Sequence, residues 1–132
     1  VTGPLEFPLF ASTSAVDTDF TVKLTDVNPD GRSVLIADGI QRGRWRKWGS
    51  GPELLTPGEV YEFTILLGNT SIVFRKGHRI RISISSSNFP LYDRNMNTGN
   101  AMGEDAVGVK ATQRVFHEAG KASYIDLPVI PA

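Results

Sequence analysis

Three segments of this chain alternate apolar and polar residues with a period of two: Phe20, Val22 and Leu24; Tyr61, Phe63, Ile65 and Leu67; Ile80, Ile82 and Ile84. In the third, Arg79, Arg81, Ser83 and Ser85 fall on the opposite face. Successive side chains of a pleated strand point to opposite sides, so each segment reads as a half-buried strand with its apolar set turned inward. These ten residues are the expected core. No long helical pattern competes with them.

Strand-like runs recur between Gly, Pro, Asn and Asp punctuation at Leu5 to Ser12, Phe20 to Val27, Ser33 to Ile40, Val60 to Leu67, Thr70 to Phe74, Arg79 to Ser85, Thr112 to His117 and Tyr124 to Val129. That spacing predicts an all-β fold, a jelly-roll β-sandwich. Asn28-Pro29-Asp30-Gly31 predicts a reversal between two strands, with Pro fixing φ and Gly free to take a positive one. Between Gly103 and Ala119 a mobile loop is expected through Val109, then a strand. The 132 residues, 40% hydrophobic and 21% charged, suit one folded domain over residues 1–132.

Lys plus Arg total 14 and Asp plus Glu total 14, so no net field draws the chain to nucleic acid or an anionic membrane. Its apolar runs fall far short of the roughly 20 residues that cross a bilayer. Cysteine is absent, which excludes disulfides, thiolate metal sites and a cysteine nucleophile, and fits a cytoplasmic protein.

The run HRIRISISSSNFPLYDRNMNTGN, from His78 to Asn100, passes from the alternating strand into a loop crowded with Ser, Asn, Pro, Asp and Arg. Together with VDTDFTVKLTDVNPDGRSVLIADGIQRGRWR at Val16 to Arg46, PGEVYEFTI at Pro57 to Ile65 and SYIDLPVIP at Ser123 to Pro131, it resembles the C-terminal domain of the CocE/NonD hydrolase family, whose members include X-Pro dipeptidyl-peptidases and cocaine esterases. The resemblance implies a galactose-binding-like jelly roll without catalytic residues. The serine, histidine and aspartate would belong to an α/β-hydrolase domain of the same parent protein, which this domain would brace while helping to define substrate access. It also implies that the jelly roll begins upstream of Val1. The chain is then a C-terminal fragment lacking a first strand, and self-association through the uncovered edge is expected.

The residues agree with a non-catalytic role. A nucleophile elbow needs Gly-x-Ser-x-Gly or a close relative on a strand-to-helix turn. Gly31-Arg32-Ser33 runs into the apolar stretch Val34 to Ala37, and Gly49-Ser50-Gly51 lies in a Trp- and Gly-rich loop. His78 and His117 sit in strand patterns with no evident serine and carboxylate partners, so structural roles are expected for both.

Two clusters are candidates for the domain interface. Arg42, Arg44 and Arg46 alternate beside Trp45 and Trp48, and would either dock on an acidic partner surface or form salt bridges inside the domain. Asn88, Tyr92, Asp93, Arg94, Asn95 and Asn97 can build a hydrogen-bonded loop, which would either brace the fold or abut the hydrolase domain near its substrate entrance. Asp17, Asp19, Asp93, Glu104 and Asp105 offer hard oxygen ligands but match no calcium loop, and no metal or cofactor is assigned. Asn69-Thr70-Ser71 fits the glycosylation pattern, a match frequent by chance. A carbohydrate-binding module using Trp45, Trp48, Tyr92 and Tyr124 is the alternative reading.

Overall fold

In the computed structural model, which describes residues 1–131, the alternating segments pair as antiparallel strands in two facing sheets. The strands are β1 (Thr2–Thr13), β2 (Asp19–Val27), β3 (Ser33–Arg42), β4 (Tyr61–Ser71), β5 (Arg79–Ser85), β6 (Gln113–Val115), β7 (His117–Glu118) and β8 (Lys121–Ala122). One sheet has the order β4-β1-β6 and the other β3-β2-β5, while β7 and β8 form a small hairpin. The all-β sandwich is as expected.

Between the sheets lie Leu5, Phe7, Leu9 and Ala11 of β1, Phe20, Val22 and Leu24 of β2, and Phe63, Ile65 and Leu67 of β4. Each fully buried large side chain here contributes about 1.5–3 kcal/mol before entropy is charged. Phe20 and Phe63 meet across the layers at 5.0 Å between ring centres. Ile82 and Ile84 pack against this cluster half-buried, as does Tyr61. Ile80 departs from expectation: it shares their face, yet it stands opposite Asp26 at the sheet's end and is 49% exposed.

Two expected strands take other forms. Thr70 and Ser71 belong to β4, which continues past a bulge at Leu67 because β1 runs alongside to Thr2. The stretch from Tyr124 follows β1 through hydrogen bonds from Tyr124 to Pro8 and from Asp126 to Glu6, with one bridge, Glu6 to Asp126. It lies on the same flank of β1 as β6, and the β7–β8 hairpin projects between them.

The Asn28–Gly31 turn closes as expected, with the Gly31 N–H on the Asn28 carbonyl at 2.9 Å and φ of +89° at Gly31. At Gly39 the sheets approach so closely that a Cβ would lie 2.3 Å from the Leu66 carbonyl oxygen. Only glycine fits there. No helix among the described residues is long and apolar enough to cross a membrane.

The sandwich thus has two ends. The Val27, Ser33 and Arg79 ends of β2, β3 and β5 gather at one. Asp19, Arg42 and Ser85 gather at the other, where the long segment after β5 folds back.

Candidate interface site

The Asp19–Arg42 end is built on a register match. Asp19 and Arg42 are direct partners in the β2–β3 ladder, and Arg42 grips the Asp19 carboxylate with two bonds of 2.9 and 3.0 Å. That hydrogen bond is the main cause raising the Arg42 pKa, with burial opposing it. After Arg42 the chain makes a single 3-10 turn, Gly43–Trp45, which aims Arg44 back at Asp17. The Arg44 backbone N–H donates to Asp17 Oδ1 at 2.9 Å, and its Nε to Oδ2 at 2.7 Å. A Cβ on Gly43 would meet the Leu55 side chain at 2.7 Å and the Thr18 carbonyl at 3.1 Å, so only glycine allows this turn to lie flat.

Asn95 closes the network. Its amide nitrogen donates to Asp17 Oδ2 and Asp19 Oδ1, both at 2.9 Å, tying the long segment after β5 to both carboxylates. Asp17 and Asp19 are 0% and 1% exposed. Buried charges are tolerated when their lone pairs are filled, and here guanidinium and amide donors fill them. These aspartates, weighed as calcium ligands from sequence, are occupied by protein donors.

Arg46 points inward too, bonding the carbonyls of Gly43 and Glu53 and the Glu53 carboxylate, with its guanidinium 4.4 Å from the Tyr61 ring centre. Lys47 also pairs with Glu53, and its ammonium is the main cause lowering the Glu53 pKa. Of the two readings open for the three arginines, the geometry realises the salt bridges inside the domain.

The loop residues divide similarly. Asn88 donates to Asp38 at 3.3 Å. Asn97, in the left-handed region at φ 64°, donates its backbone N–H to Asn95 Oδ1 and its side chain to the Val109 carbonyl. Arg94 lies over the Phe89 ring at 4.3 Å. Asp105 accepts from Thr98 and Asn100, which lower its pKa in that order of importance. Tyr92 is half-buried, and burial, followed by the nearby Asp38 charge, raises its pKa.

Much of what remains outward is apolar. Ile40, Trp45, Leu91 and Tyr92 line a hollow of about 400 Å³ whose polar rim is Arg42 and Asp93. It adjoins a second hollow, of about 520 Å³, between Trp45 and Trp48. Trp48 is 82% exposed, Leu91 62% and Trp45 50%, a cluster of a kind that single scattered residues do not form, and Phe89, 56% exposed, precedes Leu91 by two residues in the same loop. Trp45, Tyr92 and Asp93 were candidates from sequence. Leu91, Phe89 and Ile40 were missed, though two apolar residues inside the polar run NFPLYD were a usable signal. Tyr124 is not part of this surface, because it bonds to Pro8 on the other sheet.

His78 has an acidic partner: its Nδ1 lies 2.9 and 3.0 Å from the two Asp26 oxygens. Among the described residues no serine hydroxyl bonds to that histidine. His117 is exposed on β7.

Residues 1–126 match the family described as the X-Pro dipeptidyl-peptidase C-terminal non-catalytic domain. The chain belongs to this family. This C-terminal domain is 48% identical over 132 residues to cocaine esterase from Rhodococcus sp. (strain MB1 Bresler), covering 98% of the chain and 23% of the esterase. It superposes on an aminopeptidase from a marine sediment Thaumarchaeota archaeon with a TM-score of 0.92 at 38% identity, covering 99% of the chain and 23% of that protein. With an α-amino acid ester hydrolase the TM-score is 0.89 at 35% identity, over 98% of the chain and 24% of the hydrolase. The chain therefore spans about a quarter of the length of these relatives. Its family is defined as non-catalytic, in agreement with the lack of an elbow.

Proposed function

We propose that this domain is the C-terminal accessory part of a serine hydrolase acting on esters or X-Pro peptides, and that its tryptophan-lined end packs on an α/β-hydrolase domain of the same chain. The observation that carries the reading is the contrast within that end. Arg42, Arg44, Arg46, Asn88, Asn95 and Asn97 spend their hydrogen bonds internally, while Trp45, Trp48, Phe89 and Leu91 are presented outward on the frame so fixed. A rigid frame carrying exposed aromatics is what a stable interface core requires, since aromatic anchors held in place lose little entropy on docking. Arg42 and Asp93 form the polar rim. On this reading the two sheets are the halves of a jelly roll, and the segment after β5 overhangs the entrance through which substrate reaches the serine.

Both substrate classes stay in the reading, because the relatives include two ester hydrolases by name and an aminopeptidase. The test is made in the full-length native product. Trp45→Ala with Leu91→Ser should lower kcat/KM for an ester substrate and open the domain junction to proteolysis, while the 132-residue chain alone should hydrolyse nothing. A native product no larger than this chain, with Trp45 and Trp48 fluorescence quenched by a glycan, would overturn the reading in favour of a carbohydrate-binding module.

A further inference from the structure

The balanced charge of the chain hides a segregation. From Phe74 to Arg81 the sequence reads FRKGHRIR, with Arg75, Lys76, His78, Arg79 and Arg81 and no acidic residue. The fold sets this segment beside the Asn28–Gly31 turn, so that a Cβ on Gly77 would lie 3.8 Å from the Pro29 ring. The two aspartates nearby are occupied, Asp26 by His78 and Asp30 by Arg32. Among the described residues no carboxylate forms an ion pair with Arg75, Lys76, Arg79 or Arg81.

Arg79 and Arg81 stand opposite Val27 and Thr25 on β5, two residues apart, and so leave the same face of an edge strand about 7 Å from one another. Between them and the turn is a hollow of about 350 Å³, whose lining also includes Asn28, Gly31 and Gly77. Two guanidinium forks of like charge, side by side without a counter-charge, repel. A shared anion reverses the sign of that interaction and can take paired N–H donors from each fork. A small oxyanion also fits the hollow, and the cations Arg75 and Lys76, next to Gly77 in the chain, raise its local concentration.

We propose that this hollow is an oxyanion site that takes a phosphate or carboxylate group between Arg79 and Arg81. It lies at the opposite end of the sandwich from the tryptophan-lined surface and does not depend on the function proposed for that surface. The test follows the arginine Nε–H and glycine amide resonances of the 132-residue chain while chloride is replaced by inorganic phosphate, or by succinate in a second series, at fixed ionic strength.

Saturable shifts at Arg79, Arg81, Gly31 and Gly77 are expected. Arg79→Gln and Arg81→Gln should each weaken binding about tenfold, and Arg75→Gln, which removes only a neighbouring charge, by less than about twofold. Saturation by phosphate alone identifies a phosphate site, and saturation by both anions a site open to carboxylates. Shifts that never saturate, that Arg75 shares equally, or that persist in the two glutamine variants overturn the proposal. All three substitutions are at exposed positions, so the variants should fold.

Discussion

Arg42 and Arg44 at one end of the sandwich, and Arg79 and Arg81 at the other, are spaced alike in the sequence, two residues apart in or beside a strand. In the fold they have opposite fates. The first pair is drawn inward by Asp17 and Asp19 and serves as mortar. The second meets no carboxylate among the described residues and stays exposed on a strand edge. The difference lies in the partner strand: β2 begins with Asp19, in register with Arg42 at the end of β3, and Asp17 just before it receives Arg44 from the 3-10 turn, whereas opposite Arg79 and Arg81 β2 presents Val27 and Thr25. An arginine pattern is thus a braced frame or an open binding edge according to what the ladder sets across from it.

The largest test of this contrast removes one partner of the buried network. Asp17→Ala takes the carboxylate from the Arg44 guanidinium, 13% exposed and still held by the Asn100 carbonyl, and should cost about 3–5 kcal/mol in urea unfolding. Arg81→Gln should change stability by less than about 0.5 kcal/mol, as exposed substitutions usually do. Equal losses in the two variants would break the comparison, because the inward arginines would then be no more structural than the outward ones.

Much of this was legible beforehand. The alternation in β2, β4 and β5 gave the core faces, since a half-buried strand writes its burial into every second residue, and the Asn28–Gly31 turn carried its own geometry. The choice between a docking and a bracing role for Arg42, Arg44 and Arg46 stayed open because it depends on the β2–β3 register. Asp17 and Asp19 repeat the spacing of Arg42 and Arg44, and antiparallel pairing of two such ends was the available clue. Ile80 was misplaced because alternation specifies a face and not the distance from the sheet's end. Leu91 and Phe89 lie in a loop, where no periodicity marks which side is outward.

Arg46 tests the frame at an intermediate size. Its side chain is 5% exposed and joins the 3-10 turn to Glu53 and the Tyr61 ring. Arg46→Met keeps the bulk but gives up hydrogen bonds to two carbonyls, and should cost about 1–3 kcal/mol. A double-mutant cycle with Tyr61→Leu should assign about 0.5–1 kcal/mol of this to the ring contact. Trp48→Ala, by contrast, should leave the stability of the 132-residue chain within about 0.5 kcal/mol, because an 82% exposed indole contributes little to this fold. A larger loss at Trp48 than at Arg46 would reverse the division between frame and presented surface.

The smallest expected effect is a pH dependence at the rim of the same end. Asp105 accepts hydrogen bonds from Thr98 and Asn100, which hold its pKa below the ordinary value of 3.8. A carboxylate with a lowered folded-state pKa binds fewer protons folded than unfolded, so its contribution is complete above the unfolded value and is lost as pH falls through the folded one. The Thr98 and Asn100 amide resonances should therefore titrate together with a midpoint below 3.8, and Asp105→Asn should abolish the step. Asp105→Asn should leave the Gly31 and Gly77 amides, at the far end beside Arg79 and Arg81, unshifted at every pH. Changes at both ends in that variant would mean that the sandwich responds to acid as one unit, and that its two ends are not electrostatically separate.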